Sequence, residues 1–175
     1  MSRGSFGPLT GRSGRHVENE PVPIWINETE TERAFEIGRR RFQSAVDKGW
    51  VDYLNEPSLK NHQMGAAGEL AASKYLGTEW DEGVDTLNVP DIAPHWQVRW
   101  SRYPSAKVKD TDHDDWLVIA VSAGDFPVDG LMRRFYIHGW ISVREARKRR
   151  DDWTRDPNKK GKPAIFVPYR FLKSP

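Results

Sequence analysis

The chain contains no cysteine. That excludes a disulfide framework and a thiolate zinc site, and makes a reducing cytoplasm the expected compartment. Long apolar runs are missing too. Nothing approaches the roughly 18 apolar residues of a membrane span, and the N-terminus has no apolar signal core. Neither export nor membrane insertion is expected. A surplus of one charge sign is also lacking: 27 Lys and Arg against 25 Asp and Glu leave +2, which neither demands nor excludes nucleic acid. There are no internal repeats, no Walker loop, no nucleophile elbow and no dinucleotide fingerprint. The five His show no metal-ligand spacing. What is present is a 175-residue chain, 37% apolar and 30% charged, which suits one soluble domain with a real core. Eight Trp is a high count for this length and is read mainly as core and edge-strand packing, with base stacking the lesser alternative.

Residues 1 to 23 are rich in Gly, Ser, Pro and Arg without a period, and read as a flexible arm. Arg3, Arg12 and Arg15 can touch a polyanion there, though composition favours a solvated tail. Residues 24 to 175 are expected to form a single domain. Asn27 and Glu30 have the spacing of a helix-capping pair, and Ala34, Phe35, Ile37, Phe42, Ala45 and Val46 follow at helical spacing. Arg39-Arg40-Arg41 reads as a solvated face with salt bridges, with phosphate contact the lesser reading.

The clearest helix runs from a Ser58 cap to Gly77. Its run of Gly65, Ala66, Ala67, Gly68, Ala71 and Ala72 predicts close packing against a sheet, with one carboxylate, Glu69, among them. His62 lies seven residues earlier, on nearly the same face and about 10 Å up the axis. Strand-like runs follow around Trp80 to Val84, Gln97 to Trp100, Trp116 to Ser122 and Phe135 to Trp140. A short helix, SVREARKRR, and an extended segment, PAIFVPYRFL, close the chain. The fold class this predicts is mixed α/β, a central mixed sheet flanked by helices.

The stretch VPDIAPHWQVRW carries the chemistry. Strand alternation puts Gln97 and Arg99 on one face and Val98 and Trp100 on the other. Asp91, at the start of a preceding strand, reaches the Gln97 side if the chain turns at Ala93-Pro94, and Glu69 can join from the helix. Taken singly, each residue has an ordinary explanation: a Pro-Asp turn, a solvent-facing strand, a solvated helix carboxylate. The run DTDHDD, residues 110 to 115, begins like a calcium loop but has Asp115 and Val121 where that loop needs Gly and Glu, so it reads as an exposed turn.

The order of GAAGELAASKYLG on a helix, then PDI, then QVR on the next strand resembles the PD-(D/E)xK nuclease superfamily. FYIHGWISVREARKRR followed by GKPAIFVP is similar to small bacteriophage proteins that share this core. The resemblance covers roughly residues 59 to 170 and implies a restriction-endonuclease-like core. It implies a Mg²⁺ or Mn²⁺ site made by Glu69, Asp91, Gln97 and the Val98 carbonyl. His62, on the same helix as Glu69, can contact the scissile phosphate, with a satisfied structural histidine the preferred reading. Arg99 stands where the pattern has Lys. An arginine holds a phosphate in a fork but does not give up its proton. The implied function is Mg²⁺-dependent hydrolysis of DNA by a phage-type endonuclease domain, acting in the host cytoplasm. The alternative is a catalytically silent module of the same fold that binds nucleic acid or a protein partner; a third reading is a structural or host-directed phage protein using only its surface. The oligomeric state stays open, a homodimer included.

Overall fold

Asn27 opens the first helix as its spacing to Glu30 predicts. Its side chain accepts the Glu30 amide N–H at 2.9 Å, and its own N–H donates to the Glu30 carboxylate at 2.7 Å. The computed structural model describes residues 20–50, 59–84, 89–124, 133–155 and 164–175. Within these, β1 (Val22–Ile26) leads into α1 (Glu28–Asp47), then α2 (Leu59–Leu76), β2 (Trp96–Trp100), β3 (Ser105–Val108), β4 (Leu117–Ala123) and β5 (Arg133–Ser142). The helices α3 (Val143–Lys148) and α4 (Arg150–Trp153), strands β6 (Thr154–Arg155) and β7 (Ala164–Pro168), and a 3₁₀ turn at Tyr169–Phe171 complete it. Residues 1–19 and the expected Ser58 cap lie outside the described residues. Val22 and Pro23, assigned to the arm by composition, belong to β1 and pair with Ile137 and Tyr136.

The expected architecture is present: a mixed four-stranded sheet ordered β1-β5-β4-β2, in which only the β2–β4 pairing is parallel. α1 and α2 cover one face. There Val98, Ile119, Val121, Phe135 and Ile137 are buried against Met64, Ala67 and Ala71. The other face is covered by something the sequence reading did not include, a second antiparallel sheet ordered β3-β7-β6. Val118, Ala120 and Ile141 pack there against Ala106, Val108, Ile165 and Val167, with α3 contributing Val143 and Ala146. Burying one such Ile or Phe contributes about 1.5–3 kcal/mol, so both faces hold the sheet.

A bulge lets β5 serve both layers. Its register slips between Ala120 and Val121 of β4, which face Gly139 and Ile137. Before the slip the odd-numbered Phe135 and Ile137 face the helices; after it Trp140 does, and Ile141 turns to the small sheet. Gly139 takes φ +124°, and a Cβ there would sit 2.1 Å from the Lys173 carbonyl. The other close approach lies between the helices. A Cβ on Gly38 would come within 2.4 Å of the Gln63 backbone, so α1 and α2 touch backbone to backbone. α2 lies on the sheet as its small residues predict, with Gly68 facing Trp100 and Val121.

Three expectations give way. Residues 80–84 form no strand and run as irregular chain with Glu82 at positive φ. Val46 is exposed, because the buried stripe of α1 runs through Thr31, Ala34, Ile37 and Gly38. The segment before the Ala93-Pro94 turn is a single bridge, Ile92 to Trp96, not a strand.

Candidate metal and phosphate site

β2 is an edge strand, and its free side is where the site forms. The tight turn returns the chain so that Asp91 lies against β2 and accepts the Val98 amide N–H at 2.8 Å on Oδ2. The same oxygen accepts the Gln97 side-chain amide and lies 3.7 Å from the Arg99 guanidinium. Strand alternation holds: Val98 and Trp100 pack toward the helices, and Gln97 and Arg99 lie on the other side. Gln97 is buried and gives its N–H₂ to Asp91, which leaves its carbonyl oxygen as the donor atom for a cation. The Val98 carbonyl accepts from Arg99 at 3.1 Å, so it is already engaged.

Glu69 enters from α2 and is buried, against the ordinary expectation for a helix carboxylate. Both its oxygens are gripped by the Arg41 guanidinium, at 2.6 and 2.7 Å, and the Trp80 indole N–H donates to it at 3.3 Å. Arg41 is itself held by the Gly83 carbonyl at 2.8 Å. Burial pushes the Glu69 carboxyl up to about 7, and repulsion from Asp91 adds to the rise, while Arg41 opposes it. Asp91 is also raised by burial, with Arg99 pulling the other way. Repulsion from Asp91 contributes to the Glu69 rise, so the two carboxylates lie within electrostatic range of each other.

His62 is the outlier of the expected set. It packs edge-on against Phe42 of α1, ring centroids 5.8 Å apart, in the seam between the helices. That is the contact of a packing histidine.

Three residues of the cluster were not singled out by sequence reasoning. Arg41 leaves the solvated face expected for the Arg triplet, while Arg39 stays on it with Glu36. Asp112, placed in an exposed turn by its acidic neighbours, is 4% exposed and takes the Arg99 guanidinium at 2.5 Å and the Lys109 amide N–H at 2.8 Å. Lys109 lies within electrostatic reach of Arg99, Asp112 and Asp91, and the Arg99 charge, helped by burial, holds its ammonium below the usual lysine range. Spacing alone signals none of them, since each is brought in by a partner distant in sequence or by a loop.

The rest of the acidic run is what it looked like. Asp110, Asp114 and Asp115 are met by Arg150, Arg147 and Arg144 of α3 and α4 on the surface. The basic C-terminal helices are thus spent on these aspartates.

Hard cations take oxygen ligands. Asp91 and Glu69 supply carboxylates and Gln97 an amide oxygen, a donor set of the right chemistry. No group of three or more His, Asp or Glu suited to a metal exists among the described residues, so Gln97 has to complete the set, and Glu69 has to share its oxygens with Arg41. Among the described residues no helix is long and apolar enough to cross a membrane. Comparison with known proteins adds no assignment: no family model, no curated protein and no solved structure matches this chain.

Proposed function

We propose that this is a divalent-cation-dependent phosphodiesterase domain of the PD-(D/E)xK type, acting on DNA, with Glu69, Asp91 and Gln97 facing the cation. The observation that carries the reading is the pairing of a buried carboxylate, Glu69, with a half-buried one, Asp91, from separate elements and within electrostatic range, beside Arg41 and Arg99. Bound Mg²⁺ or Mn²⁺ would polarise a phosphoryl oxygen and acidify a water. The chain's own part is to bind and orient. Arg41 is held by Glu69 and Gly83 and Arg99 by Lys107, Val98 and Asp112, so a phosphate would be met by the N–H groups each guanidinium has left over. Asp91 is fixed by the Val98 amide and Gln97, so one of its oxygens is oriented and the other is left for a ligand. Lys109 is the cationic side chain of the cluster whose proton can leave, which Arg99 cannot do.

A second reading has its own support. Arg41 saturates Glu69, and Asp112 takes Arg99, so the charges already answer one another. A module that binds nucleic acid or a partner without cutting fits that pattern.

Plasmid and oligonucleotide cleavage with Mg²⁺ and Mn²⁺ separates the two. Under the first reading the natural chain cleaves, Asp91→Ala abolishes cleavage with the fold intact, and Gln97→Glu with Arg99→Lys cleaves at least as fast. Under the second the natural chain is inert and the double variant gains activity. If neither chain cleaves or binds any nucleic acid, both readings fail.

A further inference from the structure

Beyond the C-terminal ends of β2 and β4 lies a cavity of about 420 Å³, lined by Trp100, Arg102, Tyr103, Ser122, His138 and Tyr169 among others. It is separate from the charged cluster, and its chemistry is different. We propose that this cavity receives an unpaired nucleobase, with Arg102 at the rim taking the adjoining phosphate. The choice of a nucleic acid rests on the reading above; the rest comes from the cavity.

Four observations point to that ligand class. The walls are flat rings: His138 and Tyr169 are already stacked, centroids 3.9 Å apart and 21° from parallel, and Trp100 and Tyr103 join them. Every base has a π-face, so such walls accept any of the four. Next, two of the lining residues carry a buried polar atom with no partner among the described residues, the Trp100 indole N–H and the Tyr169 hydroxyl. A buried donor left unmade is costly, so a shift of either ring that turns this atom toward a base-edge acceptor would be favoured. Third, no carboxylate lines the cavity, and its one full charge is Arg102, held over the Trp100 ring at 5.7 Å. A cationic ligand would find no counter-charge there, whereas an aromatic ring carrying a phosphate finds both partners. Finally, His138 shares a 2.7 Å hydrogen bond with Ser122, and burial lowers its pKa to about 4, so the ring is a neutral platform at ordinary pH. The volume suits a small planar ligand, since such sites run from roughly 300 Å³ upward.

The position agrees with the cluster. Ser101 and Arg102 stand two and three residues after Arg99, which puts the cavity mouth close to the charged cluster. Tyr103 is 75% exposed, so its ring is free to close over a base without rebuilding the core.

The test uses the full chain, with a labelled short oligothymidylate, an abasic strand of equal length, a blunt duplex and free thymidine monophosphate, followed by anisotropy or calorimetry without divalent cations. The single strand should bind about tenfold more tightly than the abasic strand. Tyr103→Ala and Arg102→Ala, both surface changes, should each weaken it about fivefold or more and leave duplex affinity unchanged. Thymidine monophosphate competing for the same site would identify a free nucleotide as an equal source of the same chemistry and supports the assignment. Equal binding of abasic and base-bearing strands, or no change in either variant, overturns it. Cleavage of duplex plasmid by the same preparation keeps the two claims apart: cutting without base binding sinks only this inference, and base binding without cutting sinks only the cation-dependent activity.

Discussion

Around the start of β2, Glu69, Arg41, Asp91, Arg99 and Asp112 gather five buried or half-buried charges that answer one another, whereas past its end the cavity is lined by rings and no carboxylate. The strand itself is the same in both places, a five-residue edge strand paired to β4. What differs is the chain packed beside it. Near Asp91 the neighbours are the α1–α2 seam and the loop at Asp112, which bring charged side chains inward. Beyond Trp100 they are β5 and the 3₁₀ turn, which bring rings. The contrast teaches that one edge strand can carry a charged cluster and an aromatic cavity side by side, and each half can be broken alone.

The largest break is at the ion pair. Arg41→Met strands Glu69 in a buried site, and stability should fall by about 3–5 kcal/mol in urea unfolding. Adding Glu69→Leu should recover most of that loss, because a buried pair replaced as a unit by apolar side chains costs little. A loss under about 1 kcal/mol for the single change would show the pair to be solvated, like an ordinary surface contact.

The two ends should also respond to pH with opposite sign. Glu69 is raised from 4.5 to about 7 in the folded chain, so folding binds an extra proton between those values. Its contribution is full below 4.5 and is lost as pH rises through about 7. His138 goes the other way, lowered from 6.5 to about 4, so its contribution is full above 6.5 and is lost as pH falls through about 4. Unfolding curves across this range should therefore flatten on the neutral side in Glu69→Gln and on the acid side in His138→Asn. Matching profiles for natural chain and variants would remove the electrostatic half of the comparison.

The smallest effect is expected where the same pair type meets water. Arg144→Ala breaks the contact with Asp115, both partners more than 60% exposed, and should change stability by less than about 1 kcal/mol, less again in high salt.

Much of this was legible in the sequence, for reasons that differ by residue. The Asn27–Glu30 cap, the small-residue face of α2, the turn at Ala93-Pro94 and the alternation of Gln97, Val98, Arg99 and Trp100 are local, and local spacing predicts them. The second sheet was not legible, because β3 is four residues long and pairs with β7 more than fifty residues later. Arg41 and Asp112 were hidden by their neighbours: each sits in a run of like charges that is otherwise on the surface. Only the arrival of Glu69 and Arg99 turns them inward. His62 meets Phe42 edge-on in the α1–α2 seam, in keeping with the structural role preferred for it from the sequence, while helical spacing alone does not name Phe42 as its neighbour.

The central claim is that Asp91, Glu69 and Gln97 form one cation site, and calorimetric titration with Mn²⁺ tests it most directly. The natural chain should bind a single cation, more tightly as pH rises through about 7, because the cation competes with the proton on Glu69. Asp91→Asn should abolish the heat while leaving the unfolding transition in place. No binding at any pH, or binding that Asp91→Asn leaves unchanged, would contradict the account.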